Sequence, residues 1–154
     1  MSQYTSQEVT YGQAFGLTVV SALKTVPGQA LINSAKLRLF KNPSLAPDPV
    51  TPLADLVAAE CDFSGYPAGG IAVVLTVGLV LSNSCVGALT TGLFVADDTD
   101  PFVSGSAYGW WIDDGTNVIA VEKFAGGSAV PFAGKGAFLD LSVELPLQLL
   151  QATL

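Results

Sequence analysis

Apolar and polar positions alternate with a period of two in the best-patterned stretches of this chain. From Ala35 to Phe40 (AKLRLF), Leu37 and Leu39 fall on one side and Lys36, Arg38 and Phe40 on the other, which is a strand with one buried face. Phe138 to Glu144 repeats the pattern, with Leu139, Leu141 and Val143 inward, and Pro146 is expected to end that strand. Between them lies the strongest element, Tyr108 to Phe124 (YGWWIDDGTNVIAVEKF). Asp113-Asp114-Gly115-Thr116-Asn117 supplies turn chemistry between two apolar arms, because glycine accepts a positive φ cheaply and Asp and Asn tolerate it. The spacing predicts a β-hairpin. Trp110 and Trp111 are adjacent, so on a strand they point to opposite faces. One anchors the core; the other meets a second layer, a partner subunit or water.

The remaining segments are short and punctuated. Ala58 to Phe63 reads as a strand. Ile71 to Leu81 is a continuous β-rich run, expected to be buried on both faces or bent at Gly78. Cys85 to Ala96 is a strand pair or one long bent strand with weak points at Gly87 and Gly92, and Asp97 to Ser106 is a polar loop. Pro43, Pro47, Pro49 and Pro52 exclude a sheet interior over 41–52, since proline cannot donate to the ladder. One short helical turn is expected near 51–57, with Thr51 as N-cap and Pro52 at the first helical position. Residues 1–30 read as an extended arm or edge strand, and 31–154 as a single domain. The whole is all-β: an antiparallel β-sandwich or jelly roll of seven to nine short strands, with a closed barrel as the alternative.

Composition changes this picture in one respect. Half of the 154 residues are apolar and only 12% are charged, which is little charge to cover a monomer, so a homo-oligomer or a lattice-bound protein is expected. The net charge of −7 argues against nucleic acid as a partner. Its distribution is uneven: residues 1–41 carry Lys24, Lys36, Arg38 and Lys41 against Glu8 alone, whereas Lys123 and Lys135 stand against twelve carboxylates in the remainder. The N-terminal third is therefore expected to dock on an acidic surface. The partner-binding candidates are Tyr4, Val9, Tyr11, Phe15, Lys24, Lys36, Arg38, Lys41 and Trp111. The N-terminus MSQYTSQEVTYGQ lacks the pattern of a secretory leader, and the apolar segment Ala68 to Leu81 is too short to cross a bilayer as a helix, so no membrane partner is expected.

Candidate chemistry is sparse. The chain has no histidine, hence neither the commonest general base nor the commonest metal ligand at neutral pH. No serine lies in a GxSxG elbow and no glycine loop opens a helix after a strand, so neither an enzyme nor a cofactor is expected. Cys61 and Cys85 lack metal-ligand spacing and read as buried free thiols, with a single bridge as the alternative. The acidic loop Asp97-Asp98-Thr99-Asp100 is the one weak metal candidate, through Asp97, Asp98 and Asp100; it lacks the glycine and distal glutamate of a calcium loop and reads better as solvated. Tyr66, Tyr108, Trp110 and Trp111 could form a sugar-stacking platform, though core packing is commoner for aromatics at strand spacing.

Three stretches taken together carry a resemblance: LRLFKNPSLAPDPVTPLADLVAAECDFSGY from Leu37 to Tyr66, the hairpin YGWWIDDGTNVIAVEKF, and the closing FLDLSVELPLQL from Phe138 to Leu149. In this order and spacing they resemble a family of small virion structural proteins of tailed bacteriophages. The resemblance spans residues 35–149; Gly69 to Thr90 is more apolar and glycine-rich than that pattern, and the first 30 residues have no counterpart in it. It implies a non-enzymatic capsid decoration or cement protein, a trimer or dimer that bridges neighbouring major capsid proteins. Such a protein is synthesised in the host bacterial cytoplasm and placed on the outer capsid surface of the virion. The alternative it implies is a tail, fibre or baseplate subunit binding a host receptor or glycan.

Overall fold

The structure is a computed structural model that describes residues 2–5, 10–11, 30–48, 50–77 and 85–148. It is all-β. In chain order the strands are β1 (Ser2–Thr5), β2 (Thr10–Tyr11), β3 (Ala30–Phe40), β4 (Ile71–Val77), β5 (Cys85–Val95), β6 (Gly105–Ala107), β7 (Gly109–Asp113), β8 (Val118–Lys123), β9 (Val130–Phe132) and β10 (Phe138–Gln148). One short helix, α1 (Leu53–Ala58), and a 3₁₀ turn at Ala125–Gly127 complete the described elements.

Eight strands form one sheet in the order β1-β10-β5-β4-β3-β7-β8-β2, and β6 pairs with β9 as a separate ribbon. All described pairings are antiparallel except β1 on β10. The order carries a geometric consequence. β1 and β2 occupy opposite edges of the sheet, yet only residues 6–9 separate Thr5 from Thr10. Five Cα steps reach at most about 19 Å, whereas seven strand spacings of about 4.8 Å would hold the edges of a flat sheet about 34 Å apart. The sheet must therefore curl strongly, bringing its two edges towards each other.

The curled sheet has an inner face and an outer face. Inward-facing Leu37 and Leu39 of β3, Val73 of β4, Phe94 of β5, Trp110 and Ile112 of β7, Ala120 of β8, and Leu139, Leu141 and Val143 of β10 share one buried cluster. The 61–63 segment and the β6–β9 ribbon join that cluster through Phe63, Ala107 and Phe132, with the Phe63 and Phe132 rings stacked at 3.8 Å. A second cluster lies on the outer face, where α1 and its approach cover Phe40, Trp111 and Val121 with Leu56 and Ala59. Trp110 thus anchors the inside and Trp111 a second layer, and both are fully buried. Each contributes about 4–6 kcal/mol of gross apolar burial.

The expected hairpin forms from β7 and β8, with an irregularity between Ile112 and Asp113. Asp114 Oδ1 accepts from the backbone N–H groups of Thr116 (2.9 Å) and Asn117 (2.7 Å), tying the turn. Partial burial disfavours the Asp114 carboxylate, but these hydrogen bonds outweigh it and hold its pKa below the usual value.

Four local expectations need correction. Pro146 does not end the last strand: β10 continues to Gln148, with Pro146 opposite Gly87. β1 pairs only with 139–142, so among the described residues the later part of β10 is an edge, where a missing N–H is tolerated. Pro52, not Thr51, is the N-cap of α1; the Thr51 hydroxyl instead donates to Asp48 Oδ1 (2.9 Å) and accepts from the Asp48 N–H (2.8 Å). The 58–63 segment is not a strand: the end of α1 occupies its start, and Glu60 makes a single bridge to Phe40. Ile71 to Val74 is not buried on both faces, since Ala72 and Val74 are exposed where no second layer covers β4.

Candidate functional site

The polar side chains near the covered end of the sheet brace it. Asp113, with no exposed surface, accepts from the Trp111 indole N–H (2.8 Å) and from the Gly115 N–H (2.9 Å). Arg38 Nε lies 2.9 Å from Asp113 Oδ2, too far off the N–H direction for a well-aligned hydrogen bond, while Arg38 Nη1 reaches Glu60 Oε2 at 3.2 Å. Glu60 Oε1 in turn accepts from the Tyr66 hydroxyl (3.0 Å) and the Gly69 N–H (3.1 Å). The Tyr66 oxygen accepts the Leu39 N–H at 3.1 Å, where β4 no longer borders β3. Burial pushes the Tyr66 phenol pKa strongly upward, so it stays protonated and donates to Glu60. On the inner face the Trp110 indole N–H donates to buried Glu122 at 3.1 Å. In this lattice each carboxylate receives donors that fix strands and loops, and none is set against a nucleophile or a second acid in the manner of a hydrolytic pair.

Cys61 is a free buried thiol, as expected; the side chain of Cys85 lies outside the described residues. Burial, reinforced by the Asp62 charge, pushes the Cys61 pKa up to about 12. Relative to its ordinary value of 9.0, the thiolate fraction at pH 8 falls about a thousandfold. In a Cys85→Ala variant, a disulfide reagent should leave Cys61 unmodified in the native protein and label it on addition of guanidinium. Native-state labelling at the rate of a free peptide thiol would contradict this packing.

The face least occupied by the fold's own contacts is the outer side of β3, β4, β5 and β10. Lys36, Ala72, Thr91 and Glu144 are exposed there, and Val74, Leu93 and Val95 keep 44%, 56% and 41% of their surface in solvent. β4 and β5 are registered only at Thr76↔Leu89 and Val77↔Ala88. Beside that short seam lies a shallow depression of about 520 Å³, lined by Ala72, Val73, Val74, Thr90, Thr91, Ser142 and Glu144. Polar and apolar groups are mixed in it and the apolar side chains are branched and rigid, which suits contact with another surface better than enclosure of a small molecule.

The structure scatters the residues singled out in the sequence. Lys36 lies on the outer face. Lys41 pairs with Asp62 at 2.6 Å on the rim of a smaller depression. Arg38 is committed to the brace. Tyr4 and Tyr11 lie in the edge strands β1 and β2, with side chains outside what is described, and Val9, Phe15 and Lys24 lie outside the described residues. Trp111 corrects an expectation: it is fully buried beneath α1 and offers a partner no surface. The sugar-stacking platform fails for the same reason, since Trp110 and Trp111 are buried on opposite faces and Tyr66 stacks on Phe94. In the acidic loop, Asp97 Oδ1 accepts from the Thr99 hydroxyl (2.7 Å) and N–H (3.0 Å), which lower its pKa, and Asp98 pairs with Lys135. Among the described residues no three acidic or thiol groups gather as a cation site. No helix is long and apolar enough to cross a membrane, among the described residues.

Val74, Leu93 and Val95 were missed. Their signal was the shared parity of Ala72 with Val74 and of Thr91, Leu93 and Val95, which the continuous apolar runs concealed. Comparison with protein-family models, curated proteins and solved structures finds no match to this chain.

Proposed function

We propose that this chain is a non-enzymatic structural protein of a tailed-phage virion, a capsid decoration or cement protein that bridges neighbouring major capsid proteins. The observation that carries the adhesive role is the outer face of β4 and β5, where Val74, Leu93 and Val95 stand in solvent beside a core already filled by other residues. The virion setting comes from the sequence resemblance over residues 35–149. A rigid body with packing on both sides of β3 and β7 suits a load-bearing clamp, and the absence of histidine from the chain accords with a role free of proton transfer.

The test uses preformed shells of the phage that encodes the chain, prepared without it. Purified protein should co-sediment to saturation at hundreds of copies per shell and raise the shell's melting temperature, and Leu93→Lys should weaken attachment. A count of a few to some tens of copies per virion would place the protein in the tail, and absence of shell attachment would overturn the reading.

A further inference from the structure

We propose that the outer face of β3, β4, β5 and β10 is a two-fold, face-to-face contact between two copies of this chain, with Lys36 of each copy against Asp140 of the other. The proposal rests on the adhesive role above and names one partner for that face.

The strand registers order the residues across it. Lys36 is paired with Ala72, and Leu93 with Asp140. Extending the Thr76↔Leu89 register along β4 and β5 sets Ala72 opposite Leu93 and Val74 opposite Thr91. One row therefore runs Lys36, Ala72, Leu93, Asp140: a cation at one end, an anion at the other, and a small residue beside a large one between them. Three strand spacings of about 4.8 Å put the charged ends about 14 Å apart, too far to pair within one copy. Among the described residues neither Lys36 nor Asp140 makes an ion pair.

A two-fold axis parallel to the strands, midway between β4 and β5, reverses the order of the strands in the facing copy. β3 then lies against β10 and β4 against β5. Lys36 meets Asp140 twice, Leu93 lies over Ala72 twice, and Val74 lies over Thr91. The row is complementary to its own reversal in charge and in size, as an isologous contact requires. Four strands by five residues make a patch of only about 300 Å² in projection, below the usual class of stable interfaces, so the association is weak and concentration-dependent.

Sedimentation velocity on the purified full chain, from about 10 μM to about 1 mM, tests this. The wild type should move towards the dimer mass, and Leu93→Lys should stay monomeric while keeping the wild-type circular dichroism. Lys36→Glu and Asp140→Lys should each weaken self-association at least tenfold. Mixing those two variants should restore it, because the carboxylate introduced on β3 of one copy then meets the ammonium introduced on β10 of the other, while the native pair forms on the opposite side. A wild type that is monomeric throughout, a dimer indifferent to Leu93→Lys, or a mixture that fails to recover would each overturn the contact. Shell attachment is scored separately: a monomer that still coats shells overturns the self-contact alone, and a dimer that never attaches overturns the cement role alone.

Discussion

Gly109→Ala is expected to destabilise the fold by about 3 kcal/mol or more, lowering the melting temperature by about 6–12 °C for a domain of this size. Gly109 is fixed in β7 between Phe40 of β3 and Lys123 of β8. A methyl group there would lie 2.2 Å from the Glu122 carbonyl oxygen and 2.3 Å from Phe40 Cζ. Neither neighbour can yield. The carbonyl belongs to the backbone of β8, and the Phe40 ring is fully buried against Leu56 and Trp111. Gly134→Ala is the matched control: its methyl would meet nothing within 4 Å, so its effect should stay within about 0.5 kcal/mol. Urea melts followed by tryptophan emission measure both. Equal midpoints for the two variants would mean that β7 and β8 are not this close.

Asp113→Ala should cost about 3–5 kcal/mol, the range for removing one partner of a buried, hydrogen-bonded ion pair. The loss reaches three groups: the Trp111 indole and the Gly115 N–H lose their acceptor, and Arg38 keeps only Glu60. The Arg38 guanidinium retains 14% of its surface and so finds some water, which places the expected value near the lower end of that range. Asp113→Asn should cost less, because its amide oxygen still accepts from Trp111. The Arg38→Met/Asp113→Leu double variant should recover much of the loss, since two apolar groups need no partner. A cost below about 1 kcal/mol for Asp113→Ala would show that the lattice does not brace the sheet.

Much of the chain was legible because some signals are local. The Asp113–Asn117 turn, the opposed faces of Trp110 and Trp111, and the inward set Leu139, Leu141 and Val143 follow from turn chemistry and the two-residue pleat, which hold whatever lies beyond them. What covers each face is a long-range matter. β3 sits between β4 and β7, more than 30 and 70 residues away in sequence, and no local pattern announces those neighbours. For the same reason Val74 was read as buried and Trp111 as a contact residue, when the helix that a layer needs covers only the β3–β7–β8 end.

By itself the sequence determined an all-β body, its central hairpin, the alternation within individual strands, and a chain without imidazole chemistry. Only the tertiary structure decided that one sheet curls until its edge strands approach, that Asp113 and Glu122 are buried under indole donors, and that Val74, Leu93 and Val95 remain outside. The physical reason is that the pleat assigns each side chain to one of two faces, whereas burial depends on which distant segment comes to lie against that face.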